Sequence, residues 1–310
     1  MKDLDKATII GAGVIGASWT ALFLAAGARV AVFDPQPSAE RAVRDYVAGA
    51  WPVLERLGMT GRGDPDAVSF HASAAEAVEG AGFVQESVPE RIEIKHEIYA
   101  QFEPALDAQA VVASSASGLT LTEMQAGWRD PARFVLGHPF NPPHLIPLVE
   151  VMGNDRTDPS AVDRAEAIYR DAGKVTIRVN REVPGHVANR LQAALWREAI
   201  HLAKEGVASV EDIDKAIWAG PGLRWAAMGP TGIFNLAAGP QGLAEFCRRY
   251  GPSFHRWWDD LGDPRMDDET AQMLADGIAE ATGGRSTAEI GAERDTLIVA
   301  IQKATAPLRR

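Results

Sequence analysis

The chain has 310 residues, enough to divide into two domains, since single cores rarely grow beyond about 250 to 300 residues. Its composition is that of an ordinary globular protein, and a formal charge of −11 argues against broad binding to nucleic acid or to anionic membranes. The single cysteine, Cys247, excludes an internal disulfide framework and a cysteine-based metal cluster, and is expected as a buried or half-buried helix residue. No metal is called for, and a small-molecule ligand is expected.

In chain order, Lys2, Asp3, Asp5 and Lys6 precede the first apolar run, a pattern without a secretory h-region, and no stretch reaches the length of a membrane span. A cytoplasmic protein is expected. The run Ala7-Thr8-Ile9-Ile10 reads as a strand and leads into Gly11-Ala12-Gly13-Val14-Ile15-Gly16, which opens a helix ending near Ala26. A second strand, Arg29 to Phe33, ends at Asp34, about 20 residues on, the spacing of a dinucleotide site. The first glycine suits a tight turn, the second lets backbone N–H groups approach a pyrophosphate, and the third permits close packing of helix on strand. Asp34 would accept hydrogen bonds from a ribose 2′-hydroxyl and repel a 2′-phosphate, so NAD is expected rather than NADP.

Further strands are expected at Phe83–Glu86, Ala110–Ala113, Phe134–His138, Leu148–Val151 and Val175–Val179, with helices over Glu93–Phe102 and from about Asp158 to Asp171. The segment from Arg41 to Arg62 mixes Arg41, Arg44, Arg56 and Arg62 with Glu40, Asp45, Glu55 and Asp64, and reads as a solvated face. Strand and helix alternating in this way predict an α/β, doubly wound, mainly parallel sheet of Rossmann type over residues 1–183. In such a sheet ligands bind at the carboxyl ends of the strands, where Gly11, Asp34, Ser117 and His138 fall. From Pro184, a residue suited to the first turn of a helix, residues 184–310 read as an all-helical C-terminal domain. Helices are expected at Val187–Glu205, Val210–Trp218, around Leu243 to Tyr250, Asp267–Thr282 and Thr287–Ala304, with a Gly/Pro-broken stretch through Gly242.

Two residues carry the expected chemistry. His138 ends an apolar strand, and Glu150 lies within the apolar strand that follows, where an unpaired carboxylate would be costly to bury. Pairing them resolves that cost: a carboxylate on one imidazole nitrogen fixes the tautomer and raises the basicity of the ring, leaving the other nitrogen to exchange a proton with an alcohol or ketone oxygen. A purely structural His–Glu pair is the alternative.

Several segments, in order and spacing, resemble the 3-hydroxyacyl-CoA dehydrogenase superfamily: the glycine run at 11–16, Glu86-Ser87-Val88-Pro89-Glu90 with Lys95, Ser114-Ser115-Ala116-Ser117-Gly118, His138-Pro139-Phe140-Asn141-Pro142-Pro143, Leu148-Val149-Glu150-Val151 and Pro184-Gly185-His186-Val187-Ala188-Asn189-Arg190. The resemblance implies an NAD-dependent dehydrogenase with His138 as acid/base, Glu150 as its orienting partner, and Ser117 and Asn189 as hydrogen-bond donors to the substrate. It also implies that Glu90 and Lys95 form a cofactor-side pair, and it adds Ser115 and Asn141 to the cofactor-binding set of Gly11, Ala12, Gly13, Val14, Ile15, Gly16 and Asp34. Without it, Glu90 would be an exposed helix-start carboxylate and Lys95 a solvated cation.

The run from Gly220 to Pro230 contains Arg224 and Trp225, and is similar to the branch that holds lambda-crystallin (L-gulonate 3-dehydrogenase) and the L-carnitine dehydrogenases. Ala50 to Leu54, Ala194 to Leu202, Leu223-Arg224-Trp225 and Arg285 to Ile290 bring it nearer the latter. That branch handles small free acids, and Arg224 could bind a carboxylate by two parallel N–H bonds, or else serve in an ion pair between domains. A quaternary ammonium is held by aromatic faces, for which Trp225 and Phe234 are the candidates, although aromatics at helical spacing are more commonly core. Gly232–Asn235 and His144 depart from the expected bulkier or phenolic residues, so another small 3-hydroxy acid stays open. The implied activity is oxidation of the 3-hydroxyl of a small free acid, carnitine first, with L-gulonate or a short 3-hydroxyacid, a 3-hydroxyacyl-CoA, or a non-catalytic crystallin-like role as alternatives. The resemblance also implies a homodimer through the helical domain.

Overall fold

The computed structural model describes residues 4–306, so Lys2 and Asp3 of the charged N-terminus lie outside the described residues. Two compact units divide the chain, Met1–Ala188 and Asn189–Arg310.

The first unit alternates strand and helix: β1 Lys6–Ile10, α1 Val14–Ala25, β2 Arg29–Phe33, α2 Ala39–Arg56, β3 Val68–Phe70, α3 Ala74–Val78, β4 Phe83–Glu86, α4 Ile92–Phe102, β5 Val111–Ser114, α5 Leu121–Gln125, β6 Phe134–Pro139, β7 Leu148–Met152, α6 Pro159–Asp171 and β8 Val175–Arg178. The strands form one sheet in the order β3-β2-β1-β4-β5-β6-β7-β8. Neighbours run parallel except β6 and β7, whose antiparallel register sets His138 opposite Glu150. Alternate residues of each inner strand enter different cores. Ile9, Phe83 and Val111 pack with Trp19, Phe23, Leu54 and Tyr169 from α1, α2 and α6. Ile10, Val84 and Val112 pack with Tyr99, Phe102, Met124 and Trp128 on the α3, α4 and α5 side. Burial on both faces explains why these strands read as continuous apolar runs. Helix α1 is buried from Gly16 to Ala25, a mostly apolar segment with no polar face, and its Thr20 hydroxyl bonds back to the Gly16 carbonyl at 2.9 Å.

Helix α2, strand β3 and the five-residue helices α3 and α5 were not expected from sequence. Helix α2 occupies most of the charged Arg41–Arg62 segment. Its stripe Val43, Val47, Ala50 and Leu54 is buried while the charges face water, so the solvated face belongs to an amphipathic helix. Strand β3 and helix α3 are only three and five residues long, too short for a periodic signal.

The second unit is helical: α7 Ala188–Lys204, α8 Val210–Ala219, α9 Pro221–Ala227, α10 Pro230–Ala237, α11 Gly242–Asp260, α12 Asp268–Thr282 and α13 Thr287–Thr305. Ser209, Asp267 and Ser286 cap α8, α12 and α13, the last with Glu289 in a reciprocal capping box. Here four expectations are corrected. Pro184 does not open a helix; it lies in a turn, and α7 begins only at Ala188. The Gly/Pro-broken stretch holds two short helices, α9 and α10, each with a proline in its first turn. Helix α11 runs ten residues past Tyr250, straight through Pro252. No α11 residue is fully buried, so water can satisfy the carbonyl that Pro252 leaves without a donor. Cys247 is exposed rather than buried: the α11 aromatic ridge runs through Phe246, Tyr250 and Phe254, and the next residue along points about 100° away from it.

Candidate active site

The β1–α1 turn is shaped by its glycines. Gly11 has φ +92°, and a Cβ there would strike the backbone of Ser87 and Val88 at 2.7 Å. At Gly16 a Cβ would collide with the Gly11 carbonyl. Gly13, the N-cap of α1, is different: a Cβ would meet nothing within 4 Å, so its hydrogen faces open space at the positive end of a helix. Asp34, at the end of β2, accepts the Ala12 N–H on Oδ2 at 2.7 Å and the Gln36 N–H on Oδ1 at 2.9 Å, which aims its carboxylate. A cavity of about 560 Å³ opens here, lined among others by Gly11, Gly13, Val14, Ile15, Asp34 and Val88. The charged residues lining it are Asp34 and Glu97, both acidic. A dinucleotide with a free ribose 2′-hydroxyl fits this cradle; a 2′-phosphate would meet only repulsion.

Ser115, just beyond β5, is the hub of a polar cluster: its Oγ accepts from Gln85 Nε2 at 2.9 Å and Trp19 Nε1 at 3.2 Å and lies 2.9 Å from Ser87 Oγ. Ser117 and Glu90 meet. Glu90 Oε1 accepts the N–H groups of Ser117 (2.7 Å), Gly118 and Leu119 (3.1 Å), and Oε2 accepts the Ser117 hydroxyl at 3.2 Å. Partial burial alone would raise the Glu90 pKa, but these four donors outweigh it and hold the carboxyl below its ordinary value.

Lys95 is placed differently from the expected pair with Glu90. Its side chain is 1 % exposed, and its ammonium bonds Glu86 Oε1 at 2.6 Å. Glu86 also accepts from Tyr99 OH at 2.8 Å, Ser114 Oγ at 2.7 Å and the Val88 N–H at 2.8 Å. Lys95 is therefore neither solvated nor paired with Glu90; it neutralises a buried carboxylate beneath Ser87 and Val88, which line the cavity. Asn141 is exposed in the turn after β6, and the Asn141–Pro142 peptide bond is cis.

His138 and Glu150 form the expected pair. Nδ1 of His138 lies 2.7 Å from Glu150 Oε2, with both side chains buried. The other oxygen, Oε1, accepts the N–H groups of Val187 at 2.9 Å and Ala188 at 3.0 Å. This clasp brings residues 184–188 into the first unit, so the compact fold extends five residues past the boundary expected at 183. Burial pushes the Glu150 pKa up, but the His138 hydrogen bond and the Ala188 and Val187 N–H groups overcome it and keep the carboxyl below its usual range. With Nδ1 engaged, Nε2 of His138 is left for proton exchange.

Two participants were not singled out from sequence. Glu86 is one. The other is His186, whose ring centroid lies 5.1 Å from that of His138. A polar residue after a Pro-Gly pair was the only available signal for it.

Asn189, Arg224, Trp225 and Phe234 belong to the helical unit. Asn189 is the second residue of α7 and follows Ala188, a Glu150 partner. Arg224 and Trp225 are exposed on α9, and Arg224 enters no ion pair among the described residues. Phe234, on α10, stacks on Phe246 with centroids 4.8 Å apart and meets Phe254 edge-on at 5.5 Å, so much of its ring packs within the unit.

A dinucleotide cradle and a carboxylate-oriented histidine on one mainly parallel sheet define a nicotinamide-dependent oxidoreductase. Residues 6–183 match the 3-hydroxyacyl-CoA dehydrogenase NAD binding domain and residues 185–281 the C-terminal domain of the same family. The chain belongs to the 3-hydroxyacyl-CoA dehydrogenase family and uses NAD. It is 46% identical to the L-carnitine dehydrogenase of Streptomyces griseus, over 100% of this chain and 92% of that one. It is also 46% identical to the L-carnitine dehydrogenase of Streptomyces coelicolor, over 99% and 96%. Among solved structures it is similar, with TM-score 0.82 and 30% identity over 98% of this chain and 99% of the other, to 5-formyl-3-hydroxy-2-methylpyridine 4-carboxylic acid 5-dehydrogenase, an NAD+-dependent dismutase.

Proposed function

We propose that the protein oxidises the 3-hydroxyl of L-carnitine to the 3-ketone with NAD as acceptor. The observation that carries the reading is the buried His138–Glu150 pair with its free Nε2, on the same sheet as the Asp34 cradle. Bound NAD supplies the hydride acceptor. His138 Nε2 takes the hydroxyl proton, and Glu150, kept ionised by its three donors, stabilises the imidazolium that forms. Glu90 holds the backbone at 117–119 and the Ser117 hydroxyl, which, with the Asn189 amide, is assigned to the substrate oxygen. Asp34 anchors the cofactor ribose; Ser115, Asn141 and the Lys95–Glu86 pair shape and support the strand ends around it.

Arg224 is assigned to the substrate carboxylate. Its guanidinium enters no ion pair among the described residues and can offer both N–H bonds to a free acid, a need that vanishes in a thioester. Similarity to enzymes whose names specify carnitine or a pyridine carboxylic acid supports a free-acid substrate. Trp225 and Phe234 are assigned to the trimethylammonium group, by cation–π attraction. The helical unit exposes Trp218, Leu223, Trp257 and Trp258, all more than half accessible, which supports a homodimer through this unit. No helix among the described residues is long and apolar enough to cross a membrane, and a cytoplasmic location fits this.

The test is NAD reduction with a panel of L-carnitine, L-gulonate, 3-hydroxybutyrate and 3-hydroxybutyryl-CoA. Highest kcat/KM with L-carnitine is expected. Preference for the thioester, or NAD binding with no turnover of any member, overturns the reading.

A further inference from the structure

His186 combines four features that meet nowhere else among the described residues. It is 3 % exposed, and neither ring nitrogen makes a well-formed hydrogen bond, the nearest acceptor to the ring being the backbone carbonyl of Ala116 in marginal geometry. It is the one described non-glycine residue with a left-handed backbone, φ +49°. Its ring lies beside His138, tilted by 51°. Its own turn delivers the Val187 and Ala188 N–H groups to Glu150.

Each feature carries a cost or a constraint. A buried imidazole nitrogen left without a partner forfeits roughly 1 to 3 kcal/mol, and a left-handed non-glycine residue adds roughly 1 kcal/mol or more. Such costs concentrate where a polar group has a task that the resting protein leaves unmet. The charged and titratable groups facing this ring are His138, Glu150 and Glu90. Burial, reinforced by the His138 charge, lowers the His186 pKa, so the ring is neutral at physiological pH and presents one donor and one acceptor. A centroid separation of 5.1 Å is within the span that one oxygen, at about 2.8 Å from a nitrogen of each ring, can bridge.

We propose that His186 is a second substrate-contacting imidazole, which hydrogen-bonds the 3-oxygen of the hydroxy acid while that oxygen exchanges its proton with His138. The proposal rests on the assignment of a 3-hydroxy acid as substrate. The proton still passes from the substrate hydroxyl to His138 Nε2, and the hydride to NAD; His186 gains and loses nothing, but orients the oxygen from a second direction. Shielding from water makes such a bond selective, because an analogue without an oxygen at that position leaves a buried nitrogen unpaired. Reaching it requires a side-chain adjustment of the kind that accompanies ligand binding.

The test uses the full chain with NAD and L-carnitine, and wild-type turnover is established first, so that failure of the substrate assignment is seen separately. His186→Phe keeps a ring in the space and removes both nitrogens; His186→Asn restores a donor and an acceptor and tolerates the left-handed backbone. His186→Phe is expected to lower kcat by about 10- to 100-fold, the worth of one buried polar contact at the reacting atom, with NAD affinity unchanged. His186→Asn is expected to recover at least threefold of that loss. In parallel, ¹⁵N spectra of histidine-labelled wild-type enzyme with NADH should show a His186 ring nitrogen shifting when the 3-keto acid is added. Wild-type kcat in His186→Phe, or a loss that Asn does not recover, overturns the proposal. A His186 signal that ignores the keto acid does so too, even if a variant fails to fold, and would assign the ring to packing or to an internal water.

Discussion

Replacing Glu150 by Gln is the most informative perturbation of the proton-transfer pair, because its outcome follows from the three donors the carboxylate accepts. Oε1 faces the Val187 and Ala188 N–H groups and Oε2 faces His138 Nδ1. A glutamine has one oxygen, and two backbone donors claim it. The amide NH₂ is then left toward His138, where it donates to Nδ1 and forces the ring proton onto Nε2, the nitrogen that must accept the substrate proton. The same change removes the negative charge that stabilises the imidazolium. Two unit charges about 4 Å apart at an effective dielectric constant near 20 interact by about 4 kcal/mol, close to a thousandfold in rate. The wrong tautomer acts in the same direction, so kcat for Glu150→Gln is expected to fall by about 10³- to 10⁴-fold with NAD affinity preserved. The assay is steady-state NAD reduction with L-carnitine, beside NAD binding measured by calorimetry. A kcat within threefold of wild type would refute both the polarity of the pair and the orientation assigned to the ring.

The remaining predictions probe recognition and stability. Asp34→Ser is expected to weaken NAD and ease NADP, narrowing the ratio of their kcat/KM values; an unchanged ratio removes Asp34 from cofactor selection. Arg224→Met is expected to raise KM for the free acid by about 10- to 100-fold, the worth of a charge-assisted bond of roughly 1.5 to 3 kcal/mol. It should have little effect on a carnitine ester; equal penalties on both would make Arg224 structural. Glu150 and Glu90 have lowered pKa values in the folded state, so their contribution is present above the ordinary carboxylate value of 4.5 and is lost as pH falls through the folded-state values. Denaturant melts below pH 4.5 should therefore weaken faster for wild type than for Glu150→Gln, and parallel curves would contradict this.

Much of the first unit was legible because its signals are local. The glycine run, the strand on either side of it and Asp34 are fixed by turn chemistry and strand length. His138 and Glu150 could be paired because a carboxylate in an apolar strand demands a partner. What escaped depended on tertiary context. Helix α2 carries its buried stripe among charges, and Pro252 stays inside α11 because that helix is solvated. Lys95 could not be placed without knowing that Glu86 is buried beside it, and no local pattern shows that His186 lies within 5.1 Å of His138. The roles of Asn189, Arg224, Trp225 and Phe234 came through resemblance, since their own surroundings read as helix surface or aromatic packing.

The most direct test of the central claim is single-turnover NAD reduction by His138→Ala with saturating L-carnitine, beside wild type. Loss of its one proton acceptor should slow hydride transfer by about 10²- to 10⁴-fold, with the dissociation constant for NAD unchanged. Hydride transfer at the wild-type rate would contradict the account, because a buried pair that can be dismantled without cost to the reaction is only holding β6 to β7.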